Sequence, residues 1–131
     1  RLFAFVCFLV LIGGPQPLFA ESESHQLPRC IVVTHCVREE WSVKNPIKAF
    51  KRAKTLIQES PRTKIIEENS SYIHAEVTSK WMRYVDDLEL NLLHGENLIQ
   101  VRSESRVGIG DNGVNKKRID DLTYRMGDLV N

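Results

Sequence analysis

The chain has 131 residues, 42% of them hydrophobic and 27% charged, with a formal net charge of +1. That is the length of one domain with an ordinary apolar content. So balanced a charge gives the chain as a whole no strong pull toward nucleic acid or acidic membranes.

The first element is a signal peptide over residues 1–20. Arg1 precedes an apolar run from Leu2 to Ile12, which breaks at Gly13, Gly14 and Pro15; Ala20 then stands before the polar Glu21–Ser24. A charged start, a short apolar core, helix breakers and a small residue describe a secretory leader cleaved after Ala20. The run is too short to span a bilayer comfortably. Leu18 is larger than the small residue usual at that site, so a retained membrane anchor is the competing reading. The chain starts on Arg1 rather than Met, so its natural start is expected upstream. Export gives an oxidising compartment. With Cys7 gone, Cys30 and Cys36 form an even pair and suggest a disulfide, against the alternative of two free thiols.

Residues 21–29 are polar and expected as a disordered linker; residues 30–131 form the single domain. The segment Cys30–Val37 reads as a short strand or as an extended lead-in pinned by the cysteines. A helix follows. Asn45 is a good N-cap, Pro46 fits the first helical position, and Ile47, Phe50, Ala53, Leu56 and Ile57 follow helical spacing. Lys48, Lys51, Arg52 and Lys54 fall largely elsewhere, as a solvated face rather than a basic binding surface. Ser60 and Pro61 end the helix.

Four strands are expected next, over 63–67, 71–79, 84–93 and 98–107. In the second, Ile73, Ala75 and Val77 face one way and Tyr72, His74 and Glu76 the other. If 94–97 is the loop of the last hairpin, Leu93 faces Leu98, Leu92 Ile99, Leu90 Val101 and Glu89 Arg102. One face then carries the aliphatic side chains, the other Asp87, Glu89, Asn91, Gln100, Arg102, Glu104 and Arg106. A slip of one residue would bury the charges. Asp87 lies opposite Glu104, a like-charge pair that Arg102 and Arg106 can screen. Asp86 points to the apolar side with Ser103 and Ser105, and a hydrogen bond to Ser105, its cross-strand neighbour, would satisfy it. A turn at Asp111, Asn112 and Gly113 leads into a last helix, capped by Asn115, with Ile119, Leu122, Met126 and Leu129 as its apolar stripe. The fold class is α+β: a four-stranded antiparallel meander flanked by an N-terminal and a C-terminal helix, both on the apolar sheet face.

Three motifs in order carry a family resemblance: Tyr84-Val85-Asp86-Asp87-Leu88-Glu89; Val101 through Gly108, with Arg102, Ser103, Ser105, Arg106 and Val107; and Asp111, Gly113, Asn115 and Arg118. Together they resemble the signature of the DUF1499 family, a domain of unknown function. Tyr72–Glu76 and Ser79 fit its preceding strand. Cys36-Val37 fits its early asparagine-cysteine-valine element, with His35 in place of the asparagine. Glu104 and Arg38-Glu39 depart from the pattern. The resemblance implies an exported or membrane-associated bacterial or plastid domain without agreed activity, and it supplies no catalytic residues.

The chemistry open to these residues is limited. Asp87 and Glu89 share a strand face and could split their pKa values as acid and base or bind a hard cation; arginines at this spacing instead favour a structural ion network. Gly108, Gly110 and Gly113 match G-x-G-x-x-G, but no parallel strand follows to complete a dinucleotide site. Backbone amides there, with Lys116, Lys117 and Arg118, could hold an anion, although a turn that simply needs glycines is the plainer reading. His35 and Cys36, neighbours on an extended segment, point apart and cannot pair. The four histidines show no metal-ligand spacing, and no cofactor is implied. Trp41, Trp81 and Met82 are expected in the core or lining a pocket.

The sequence therefore reads as a periplasmic or secreted binding or accessory protein of the cell envelope, non-enzymatic, with an unknown small ligand or envelope partner. No transmembrane segment is expected in the mature chain. Its candidate site joins Asp86, Asp87, Glu89, Arg102, Ser103, Ser105, Arg106, Gly108, Asp111, Gly113, Asn115 and Arg118. A hydrolase using the paired carboxylates and a lipid carrier with an apolar cavity between sheet and last helix are the alternatives.

Overall fold

The computed structural model describes residues 13, 14 and 25–131. The expected leader therefore lies outside the described residues but for its two glycines. Strands β1 (Cys36–Ser42), β2 (Thr63–Glu68), β3 (Tyr72–Thr78), β4 (Val85–Leu93) and β5 (Leu98–Ser105) form one antiparallel sheet in the order β1-β5-β4-β3-β2. Helix α1 (Pro46–Glu59) links β1 at one edge to β2 at the other. Helix α2 (Val114–Met126) follows β5 and runs into a 3-10 turn, Gly127–Leu129.

The sheet has five strands, not the expected four. The extra one is β1, which lies along β5 with Arg38 opposite Arg102 and Trp41 opposite Ile99. Its alternation places Trp41 in the core, where the indole N–H donates to Thr123 Oγ1 at 3.0 Å. Glu39, on the same side but at the sheet edge, meets Lys116 of α2 at 3.4 Å. The hairpin β4–β5 has the expected register throughout, from Leu93–Leu98 to Asp86–Ser105, with Glu89 opposite Arg102.

Helix α1 begins as its sequence dictates: Asn45 Oδ1 accepts from the Lys48 N–H at 3.1 Å, with Pro46 next. It buries Ala49, Phe50, Ala53, Leu56 and Ile57, while Ile47 stays exposed. These side chains join Ile73, Ala75, Leu88, Leu90, Leu92, Ile99 and Val101 of the sheet and Ile119, Leu122 and Met126 of α2 in one core. Both helices thus cover one sheet face, as the period-2 pattern requires. Trp81 and Met82 are exposed rather than packed.

The other face is partly covered by the segment 25–29, which was expected to be disordered. The Leu27 N–H donates to Gln100 Oε1 at 2.8 Å and its carbonyl accepts from Arg38 Nε at 3.1 Å, while the His25 carbonyl accepts from Asn91. Leu27 is buried. A disulfide joins Cys30 to Cys36, with their Cα atoms 5.5 Å apart, and ties this arm to the start of β1.

Candidate functional site

The twelve candidate residues fall into two groups on opposite faces of the sheet, because Asp86 and Asp87 are consecutive on one strand. On the face away from the helices, Arg106 grips Asp87 through two hydrogen bonds, from Nε at 2.9 Å and Nη2 at 2.8 Å, and Nη2 also meets Glu76 at 2.9 Å. His74 Nε2 lies 2.7 Å from Asp87 Oδ1. Glu89 accepts from the Tyr72 hydroxyl at 2.5 Å and from Arg102 Nη1 at 3.4 Å, and Arg102 Nη2 donates to Glu104. The like-charge pair Asp87–Glu104 is therefore split between two arginines. Arg106 holds the Asp87 carboxyl below the usual carboxylate range, against the effect of burial and with help from His74. Burial, followed by the bond to Glu89, pushes the Tyr72 phenol above its usual range. A carboxylate so held is a poor proton donor near neutrality. This face is an ion network in which Asp87, Glu89 and Glu104 are each paired, while the buried Arg102 Nε has no hydrogen-bond partner among the described residues.

On the helix face, Arg118 of α2 reaches back to β4 and β5. Its Nη2 donates to Asp86 Oδ2 at 2.8 Å; its Nη1 donates to Ser103 Oγ and Asn115 Oδ1, both at 2.9 Å. Ser103 Oγ donates to Asn115 Oδ1 at 2.7 Å. Asn115 Nδ2 then donates to Ser105 Oγ at 2.8 Å, Asp111 Oδ2 at 2.7 Å and the His35 carbonyl at 3.1 Å. Asp86 is thus satisfied by Arg118, not by Ser105. Asn115 is fully buried inside α2 and is not its cap. The capping is done by Asp111, whose carboxylate accepts from the N–H groups of Gly113 (2.9 Å) and Asn115 (3.0 Å). Burial alone would raise the Asp111 carboxyl, but the bonds from Asn115 and Gly113 outweigh it and hold it low. The amides suggested as an anion site are already occupied by this carboxylate. Gly108 and Gly113 serve the turn instead, with φ of 91° and 79° in the left-handed region that glycine tolerates.

Arg118, alone of that helix-face network, lines a cleft of about 410 Å³ between the end of α1, the sheet and α2. Ile57, Val77, Leu88 and Leu122 supply apolar lining; Arg62, Lys117, Arg118 and Arg125 supply positive charge against one acid, Asp121. Arg62, Lys117 and Arg125 make no ion pair among the described residues. Of the candidate residues only Arg118 lines the cleft. Arg62 and Arg125 were not singled out, Lys117 was read only as an anion contact at the glycine turn, and Leu122 only as part of the apolar stripe of α2. The available signal was the helical spacing of Arg118, Asp121, Leu122 and Arg125, which sets three charges beside the apolar stripe of α2. A second cleft of about 350 Å³ lies at the β2–β3 turn, lined by His25, Glu67, Asn69, Ser71, Tyr72 and Asn91. Among the described residues, no cluster of three His, Cys, Asp or Glu side chains could hold a metal ion, and no helix is long and apolar enough to cross a membrane.

Fold and site together define a disulfide-linked α+β domain whose sheet carries an ion network on one face and a basic, apolar-floored cleft on the other. The chain belongs to the DUF1499 family, described as proteins of unknown function, whose model matches residues 22–126. A comparison with curated proteins finds no match.

Proposed function

We propose that this domain is a binding protein of the cell envelope that takes a small organic anion with an apolar body into the cleft between α1, α2 and the sheet. The observation that carries the reading is the lining: an aliphatic floor under a rim where four cations face one acid. A volume of about 410 Å³ falls within the usual range for small-molecule sites. Arg118 is anchored by Asp86, Ser103 and Asn115 and so is pre-organised; Arg62, Lys117 and Arg125 remain to pair with an acid group. A carboxylate or phosphate head would meet guanidinium donors while its chain covers Leu88 and Leu122. The leader-like N-terminus and the cysteine pair support export to a periplasmic or extracellular setting.

The reading is one of binding, not hydrolysis. The carboxylates Asp87 and Glu89, which a hydrolase would need free, are each engaged by an arginine. The test is calorimetric titration with decanoate against decanol. Decanoate should bind and decanol should bind more weakly, because only the acid engages the rim. Removing Arg62 and Arg125 together should weaken decanoate about tenfold or more, given two lost charge-assisted contacts. Equal affinity for acid and alcohol, or an unchanged affinity in the variant, refutes the proposal.

A further inference from the structure

One end of the sheet is unusual. There β1 begins, β5 ends, β3 ends and β4 begins, so three connecting segments, 31–35, 79–84 and 106–113, lie side by side. Each displays large apolar side chains at its tip: Ile31 and Val33 in the first, Trp81 and Met82 in the second, Val107 and Ile109 in the third. Ile31 and Ile109 are 92% exposed and Trp81 82%. Loop tips ordinarily carry small or polar residues, and apolar groups collected on one surface mark a place of contact.

These tips are held, not loose. The disulfide closes the first segment. Thr34 Oγ1 donates to the Ile109 carbonyl and so ties the first to the third. The Ser79 N–H donates to the Tyr84 carbonyl at 2.8 Å and the Tyr84 N–H to Ser79 Oγ at 2.9 Å, which closes the second. The apolar groups are presented on fixed backbone, outside the core.

The charge around them selects the occupant. Arg29, Lys80 and Arg83 flank the tips and have no ion-pair partner among the described residues. The acid of these segments, Asp111, is turned inward onto Gly113 and Asn115. Lys80 Nζ sits 5.0 Å from the Trp81 ring centroid, pairing an interfacial aromatic with a cation. The overall charge of +1 hides this local excess. Separate apolar points among free bases match a deformable anionic surface, into which each point can sink independently.

We infer that this end of the sheet docks on an anionic lipid bilayer, with the tips of the three loops entering the headgroup layer. The inference is independent of the cleft and of its ligand. Trp81 would sit at the interface, and Arg29, Lys80 and Arg83 would meet lipid phosphates.

The test follows tryptophan quenching in the full chain by vesicles of brominated phosphatidylcholine with 30% phosphatidylglycerol. Of the two tryptophans, Trp41 is buried and Trp81 exposed, so quenching reports the loop end whatever the N-terminal apolar run does. Trp81 should be quenched, the effect should vanish in W81F, and pure phosphatidylcholine or high salt should weaken it. Replacing Ile31 and Ile109 with Ser should raise the lipid concentration needed about tenfold or more, since two apolar tips are lost, with thermal unfolding unchanged because both are exposed. Vesicle association without quenching overturns the proposal. So does quenching indifferent to I31S/I109S, or loop protection from hydrogen exchange that depends on protein concentration instead of lipid, which would assign the surface to a second copy.

Discussion

Replacing Asp86 with Ala tests how α2 is fixed to the sheet. The side chains of Asp86 and Arg118 are 9% and 17% exposed, so the substitution leaves a largely buried guanidinium without its carboxylate. Breaking such a pair costs about 3–5 kcal/mol. Arg118 keeps its Nη1 bonds to Ser103 and Asn115, and it borders a cleft that water can enter. Both place the loss at the lower end, about 3 kcal/mol, or a fall in Tm of roughly 12 °C for a domain of this size. R118A should cost a similar amount by stranding the carboxylate. The double variant should lose only about 4 kcal/mol, well short of the sum, because no unpaired charge remains. Urea unfolding of the disulfide-intact protein, followed by circular dichroism, gives all the values. Single losses below about 1 kcal/mol, or losses that simply add, would refute the role assigned to the pair.

Two further outcomes are expected. Converting Cys30 and Cys36 to Ser should cost about 2 kcal/mol by the chain-entropy argument for so short a loop, and hydrogen exchange should show faster opening of the Leu27 amide that Gln100 holds. Stability should also fall in acid through Asp87. Its folded pKa lies below its ordinary value of 3.8, so between those two values the unfolded chain takes up a proton that the folded chain does not. The stabilisation is full above the ordinary value and is lost as pH falls through the folded one. R106Q should flatten that acid limb in unfolding titrations from about pH 5 downward.

How much of this was legible depended on distance along the chain. The β4–β5 hairpin could be registered residue by residue because its loop is short and its alternation strict, and every pairing stands. Helix α1 announced itself through Asn45 and Pro46. Strand β1 was obscured by Arg38, Glu39 and Glu40: three consecutive charges hide a period of two. Glu39 is tolerated on the helix side because it sits at the sheet edge within reach of Lys116. The arm at 25–29 reads as disordered because its order comes from Arg38, Asn91 and Gln100, far along the chain.

The strand positions of the candidate residues were legible, but their grouping was not. Alternation did place Asp86 opposite in direction to Asp87; its partner on α2, 32 residues away, is a tertiary fact. The same holds for the cleft. Its walls come from the α1–β2 connection, β3, β4 and α2, and no local pattern joins Arg62 to Arg125. Around α2 two chemically similar caps were available, and Asp111 fills the role while Asn115 is drawn inward by Ser103, Ser105 and Arg118.

Binding of an amphipathic acid in the cleft is tested most directly by amide chemical-shift mapping during a decanoate titration. Saturable shifts should gather at Arg62, Val77, Leu88, Lys117, Leu122 and Arg125, leaving His74, Asp87 and Arg102 on the opposite face unmoved. Shifts confined to that opposite face, or none at concentrations approaching solubility, would contradict it.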